Sequence, residues 1–137
     1  MQAEELKQLG GLVFRDIEEG FQNCKYEVLS GNPDDLYEVI VQQIHQNGLE
    51  NSYVDFYYGR LKKEEQEKVQ EVIPSEWLHT LKQYENCHEL YYPLSKELLE
   101  ITWFLTIHEY LFSTYYFCKE PCTIWGNYNQ TLVKFWL

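Results

Sequence analysis

The chain has 137 residues, with 22 Asp and Glu against 11 Lys and Arg and a net charge of −11. Its 45% hydrophobic content excludes intrinsic disorder, and its acidic balance argues against nucleic-acid binding, which needs a basic surface. No apolar run approaches the roughly 20 residues of a membrane-spanning helix, so we expect no membrane association. The length predicts a single globular domain over residues 1–137.

The N-terminal third contains two helical segments. Residues 3–22 carry apolar side chains at helical spacing, but Gly10 and Gly11 interrupt them, which predicts either one weakened helix or two short ones. Residues 26–29 fit a short strand or a connector. The sequence Asn32-Pro33-Asp34-Asp35 supplies an N-cap, a first-turn proline and two carboxylates, and therefore predicts a helix over 33–47, ended by Gly48.

The middle of the chain is mostly helical in pattern. Residues 52–60 fit either a strand or a helical turn, whereas the spacing over 61–73 predicts an amphipathic helix that Pro74 ends. We expect Ser75 to cap a further helix that runs to about Glu85, and residues 88–94 to be extended. Residues 95–107 satisfy both helical and strand periodicity, and we predict a helix because Ser95 is a good N-cap.

The C-terminal segment has the strongest β signal. Aromatic and β-branched residues fill three runs at 111–118, 122–125 and 131–136, separated by turn residues. We therefore predict an α+β fold, in which several N-terminal and central helices pack on a short C-terminal antiparallel β-meander.

The sequence contains no recognisable catalytic motif. It has no Gly-rich phosphate loop, no nucleophile elbow and no metalloprotease helix, so we expect no enzymatic activity and no cofactor. The N-terminus lacks the pattern of a secretory signal, which predicts a cytoplasmic protein with four reduced cysteines. The spacing of Cys118 and Cys122 would permit part of a zinc site, but we interpret both as small buried hydrophobic residues and expect no metal.

The acidic residues are concentrated early in the chain. Residues 1–59 hold 11 acidic residues and 3 basic ones, and we expect the negative charge to gather on one outward side. Tyrosines stand among these acids, and tyrosine is favoured at protein interfaces. The first hypothesis is therefore a bacterial immunity protein that occludes a basic, nuclease-like toxin domain. Its predicted partner-binding residues are Asp34, Asp35, Glu38, Asp55, Tyr57 and Tyr58.

Two alternatives concern the C-terminal half. In one, Trp103 and Phe104 line an aromatic pocket for a small molecule or a substrate, with His108, Glu109 and Asn127 as its polar groups. In the other, the segment 131–137 is an edge strand that pairs between two copies to form a homodimer.

Overall fold

Six strands form one antiparallel sheet in the order β1-β6-β5-β4-β2-β3. The computed structural model describes all residues from 1 to 137. The strands are β1 (Lys25–Ser30), β2 (Ser52–Asp55), β3 (Tyr91–Pro93), β4 (Thr114–Phe117), β5 (Cys122–Asn127) and β6 (Thr131–Trp136). The predicted meander, β4 to β6, therefore lies in the middle of a wider sheet.

Six α-helices accompany the sheet. They are α1 (Ala3–Gln8), α2 (Ile17–Asn23), α3 (Pro33–Asn47), α4 (Lys63–Val72), α5 (Leu78–Lys82) and α6 (Lys96–Ile107). Short 3₁₀ turns at Leu49–Asn51, Tyr58–Arg60 and Ser75–Trp77 join some of them. The predicted α+β class is thus confirmed.

One face of the sheet, here called the helical face, packs against α3 and α6. Side chains alternate between the faces of a strand, and residues opposite each other in an antiparallel pair share a face. On the helical face Tyr115, Phe117 and Ile124 belong to one apolar core that also contains residues of α3 to α6. This core holds most of the buried apolar side chains.

The other face, here called the N-terminal face, is covered by residues 1–23. Tyr116 and Cys118 pack with Leu6, and Phe14 and Phe21 lie edge-on to Phe135 at 5.1 and 5.4 Å between ring centroids. The Thr123 hydroxyl also donates to the Leu12 carbonyl at 2.7 Å. Because both faces are covered, all four residues of β4 are buried.

Local signals located several elements correctly. Helix α3 has the predicted bounds, and its N-cap Asn32 accepts from the Asp35 amide at 2.9 Å. Ser95 caps α6 by accepting from the Leu98 amide at 3.1 Å, which confirms the helical alternative for residues 95–107. The first segment forms two helices, since Gly10 has φ +106° and Asp16 starts α2 as an N-cap.

The structure contradicts the homodimer prediction for the C-terminal strand. Strand β6 pairs with β1 on one side and with β5 on the other, so neither of its edges is free. The outer strands are β1 and β3. The apolar C-terminal segment suggests an edge strand when only neighbouring residues are considered. Strand β1, which pairs with β6, lies more than 100 residues earlier in the chain.

None of the helices combines the length and the apolar character that crossing a membrane would require.

Candidate functional site

A shallow groove lies between α3, the 3₁₀ turn at Ser75–Trp77 and α6. Its volume is about 240 Å³. Pockets for drug-sized ligands are typically about 300–1,000 Å³, so this groove suits one side chain of a partner better than a whole ligand. It is lined by Asp34, Tyr37, Trp77, Glu100, Trp103, Phe104 and Ile107.

Helical spacing brings these side chains together. On α6, Glu100 and Trp103 are three residues apart, and Phe104 follows Glu100 by four, so all three lie on one side of the helix. On α3, Asp34 and Tyr37 are also three residues apart. Each helix therefore contributes one carboxylate and at least one aromatic ring to the same groove.

The aromatic rings form two contacting pairs. The rings of Tyr37 and Trp103 have centroids 5.8 Å apart, and those of Trp77 and Phe104 meet edge to face at 5.8 Å. Trp103 is almost buried, at 8% exposure, whereas Tyr37, Trp77 and Phe104 are half-buried. The groove thus presents a preformed aromatic surface to solvent.

The groove is electrostatically negative. No Lys or Arg lines it, and neither Asp34 nor Glu100 forms an ion pair; the ion pairs in the chain involve Glu4, Glu19 and Glu89 instead. Burial raises the pKa of Tyr37, and the negative charges of Glu100 and Glu38 raise it further. Aromatic faces and unpaired carboxylates together suit a Lys or Arg side chain.

Of the predicted partner-binding residues, four are accessible. Asp34, Asp35 and Glu38 are exposed on α3, although Asp35 also accepts from the Asn32 side chain at 2.9 Å. Tyr57 is 42% exposed, but it does not line the groove. The structure therefore brings Asp34 into the groove, leaves Asp35 and Glu38 exposed elsewhere on the same helix, and leaves Tyr57 apart from the groove.

Asp55 does not lie on the partner-binding surface where the sequence predicts it, because the fold buries this residue to 5% exposure. It lies on the N-terminal face, where the Thr114 amide donates to Oδ1 at 2.8 Å and the Tyr116 hydroxyl donates to Oδ2 at 3.2 Å. Burial raises the pKa of Asp55 to about 7, and these hydrogen bonds only partly offset that rise. Asp55 therefore connects β2 to β4 inside the molecule and is not available to a partner.

Tyr58 is also absent from the predicted partner-binding surface, since it has no exposed surface. Its ring stacks on Phe56 at 5.9 Å, and its hydroxyl accepts from the Gln70 side chain at 2.7 Å. The run of aromatics after β2 alternates, so that Phe56 and Tyr58 enter the core while Tyr57 faces outward. The aromatic composition of this segment predicts an interface, but Phe56 and Tyr58 belong to the core.

The expected gathering of early acidic residues on one side is also wrong. Helices α1 and α2 carry Glu4, Glu5, Glu18 and Glu19 over the N-terminal face, whereas α3 carries its acids on the helical face. The early carboxylates are thus divided between the two sides of the sheet. The negative groove takes Asp34 from the first third and Glu100 from the middle of the chain.

The residues of the alternative aromatic pocket do not share a sizeable cavity. Trp103 and Asn127 line a space of about 10 Å³, roughly one water molecule. His108 is exposed and packs on Phe104 at 4.4 Å, and the Glu109 carboxylate accepts from the Asn129 amide at 2.7 Å. Trp103 and Phe104 instead belong to the groove described above.

The two C-terminal cysteines are buried, as predicted. Cys118 packs with Leu6 on the N-terminal face, whereas Cys122 belongs to the core on the helical face, so the two thiols cannot converge on one ion. No group of three or more His, Cys, Asp or Glu side chains is arranged to hold a metal.

Trp77 and Glu100 were not identified as site residues from the sequence. Trp77 has the pattern of a core residue, and Glu100 is one of many acids. The available signal was the helical spacing of Glu100 with Trp103 and Phe104, which the competing strand periodicity of 95–107 obscured.

Comparison of the chain with protein-family models, with curated proteins and with solved structures found no match. The function proposed below therefore rests on the chemistry and geometry of the residues described here.

Proposed function

We propose that this protein binds a basic protein stoichiometrically and inhibits it by covering its active surface. The target class is a nuclease-like toxin domain, whose surface must be basic to bind phosphate. The protein would then be a bacterial immunity protein. We place it in the cytosol, where cellular thiols keep cysteines such as its four free ones reduced.

The groove between α3 and α6 is the observation that carries this proposal. It combines aromatic faces with two carboxylates that have no basic partner within the chain. A Lys or Arg side chain of the target would contact Trp77 and Tyr37 and pair with Asp34 and Glu100. Such a contact anchors a partner because the aromatic surface is already ordered.

The charge of the whole chain supports the same class of partner. The net charge is −11, and the three ion pairs leave most of the 22 carboxylates outside any ion pair. A negative field of this kind accelerates encounter with a basic protein and disfavours acidic ones. Asp35 and Glu38 on α3 would meet cationic side chains around the anchored one.

The mechanism requires no chemical step by this protein. A bound inhibitor that occupies the phosphate-binding surface excludes the nucleic acid by sterics and by its own negative charge. Inhibition is therefore expected at one to one stoichiometry.

Isothermal titration calorimetry against a panel of basic nuclease toxin domains tests the proposal. We expect one member to bind, with an affinity that falls steeply between about 50 and 300 mM NaCl, because salt screens the charges. The double variant D34N/E100Q should weaken that complex by about tenfold or more, or about 1.4 kcal/mol.

The matched control is E64Q/E65Q on α4, which removes the same number of carboxylates from exposed positions away from the groove. It should change the affinity by less than about twofold. Equal losses for both double variants, or an affinity that is independent of salt, would remove the groove as the anchor.

A further inference from the structure

Strand β1 is an outer strand with a long free edge. All six of its residues pair with β6 on one side, and no strand lies on the other. Outer strands present unpaired backbone N–H and C=O groups, and most proteins protect such edges with charged side chains, proline, bulges or short length.

The opposite edge of the sheet is protected in this way. Strand β3 has only three residues, one of which is Pro93, and the terminal amine of Met1 donates to the Tyr91 carbonyl at 2.9 Å. Strand β1 has no proline and no bulge in its six-residue register with β6, and its charged side chains are one lysine and one glutamate, which can complement a second copy instead of repelling it. The two edges are therefore built differently.

The side chains of β1 are also largely uncovered. Tyr26 is 51% exposed and Val28 is 54% exposed. Tyr26 pairs with Phe135 and so lies on the N-terminal face, where its ring meets Phe21 at 4.7 Å. This contact holds a half-exposed aromatic ring at the margin of the sheet.

Two opposite charges lie on the other face of the same strand. Lys25 faces Trp136 across the β1–β6 pair, and Glu27 faces Lys134. Neither Lys25 nor Glu27 forms an ion pair within the chain. An adjoining strand with the charges in the opposite order would complement both.

We propose that β1 pairs antiparallel with β1 of a second copy of this chain, about a twofold axis that passes Tyr26. The two six-stranded sheets then become one continuous sheet of twelve strands. Tyr26 lies opposite Tyr26 of the second copy on the N-terminal face, and Lys25 of each copy lies opposite Glu27 of the other on the helical face. This inference is independent of the proposed inhibitor function.

Charge selects this register among its neighbours. A twofold axis through any residue of β1 places residues of the same face opposite each other, and the axes nearest the middle of the strand pass Tyr26, Glu27 or Val28. An axis at Glu27 places two carboxylates directly opposite, which is destabilising, and an axis at Val28 places Glu27 opposite Leu29. Only the axis at Tyr26 pairs each Lys25 with a Glu27. The paired segment then runs from Cys24, which has extended backbone, to Val28, because residues 22 and 23, opposite Ser30 and Leu29, belong to α2.

Sedimentation equilibrium of the wild-type protein is the first measurement. Edge pairing buries less area than the ~1,200 Å² of a stable interface, so we expect a weak dimer whose fraction rises between about 10 µM and 1 mM. The variants K25E and E27K each place like charges opposite in the dimer and should both be monomeric over that range.

The equimolar mixture of K25E with E27K is the decisive sample. In a mixed dimer the two acidic positions of one chain face the two basic positions of the other, so the mixture should form a heterodimer although each variant alone is monomeric. E27K also brings a second cation beside Lys134, and circular dichroism of each variant checks that it folds.

K96E and E64K are the charge-matched controls, since both positions are exposed and away from β1. Each should dimerise like the wild type. A wild-type protein that stays monomeric at 1 mM, or a mixture of K25E and E27K that stays monomeric, would overturn the proposal.

Discussion

Asp55 is the one acidic side chain that the fold removes from water. Its raised pKa of about 7 means that the folded state holds a proton that the unfolded chain releases near its ordinary pKa of 3.8. Well below pH 3.8 both states are protonated and the carboxyl costs no stability. As the pH rises towards 7, the unfolded state gains from ionisation, so the folded state loses relative stability.

We therefore expect D55N to flatten the pH dependence of stability. Asparagine resembles the protonated acid, so D55N should match the wild type near pH 4 and exceed its unfolding free energy at pH 8. The difference should be on the order of 4 kcal/mol, from about 1.4 kcal/mol per pKa unit.

Urea denaturation from pH 4 to 8 measures this difference. D34N is the matched control, because it removes an exposed aspartate and should keep the slope of the wild type. A slope in D55N equal to that of the wild type would show that Asp55 is ionised in the folded protein throughout this range.

Gly59 is a position where a close backbone approach excludes any side chain. A Cβ atom there would lie 1.8 Å from the Cys87 carbonyl oxygen and 2.6 Å from that of Tyr84. We expect G59A to lower the unfolding free energy by more than about 2 kcal/mol, since backbone must shift to admit the methyl group.

G31A is the control, because a Cβ at Gly31 meets nothing within 4 Å. Denaturant unfolding should show G31A within about 0.5 kcal/mol of the wild type. Similar losses in G59A and G31A would mean that the contact of Gly59 with residues 84–87 is not a constraint.

At the scale of elements, α3 and α6 connect the fold to the candidate site. Each begins at a side-chain N-cap, and each contributes both core residues and groove residues. The two helices are far apart in sequence, and their shared packing on the helical face brings Asp34 and Glu100 into one groove. The orientation of α3 therefore matters to the site as well as to stability.

Removing the N-cap of α3 should lower the unfolding free energy by a measurable amount while the protein still folds. Asn32 satisfies the amide of Asp35, and its side chain also donates to that carboxylate at 2.9 Å. We expect N32A to cost about 1 kcal/mol of unfolding free energy and N32S to restore most of it. Thermal or urea denaturation distinguishes the two variants, and equal losses in both would contradict a capping role.

At the scale of the whole molecule, the negative charge is only weakly compensated. The chain has a net charge of −11 and forms three ion pairs, all at the surface or the N-terminus. Repulsion among unpaired carboxylates opposes the compact state, and salt screens it with a Debye length of about 10 Å at 0.1 M.

The melting temperature at pH 7 should therefore rise by several degrees between about 20 and 200 mM NaCl. Near pH 4.7, the isoelectric point of the sequence, the same salt change should have little effect. Differential scanning calorimetry at both pH values makes the comparison. A melting temperature at pH 7 that does not respond to salt would mean that the carboxylates repel one another too weakly to affect folding.

The sequence by itself determined the local elements of this protein. Asn32 and Pro33 specify where α3 begins, Ser95 specifies the start of α6, and the β-branched and aromatic runs after residue 110 predict three strands. These features follow from contacts within a few residues along the chain, so the pattern of neighbouring residues is sufficient to predict them.

Only the tertiary structure decided which surfaces remain exposed. The central position of β6 depends on its pairing with β1, the burial of Asp55 depends on β4, and the groove joins residues 34 and 100. Each of these outcomes depends on which face a distant segment covers. Helical and strand periodicity show that a helix or strand has an apolar side to bury. They do not identify the element that covers that side.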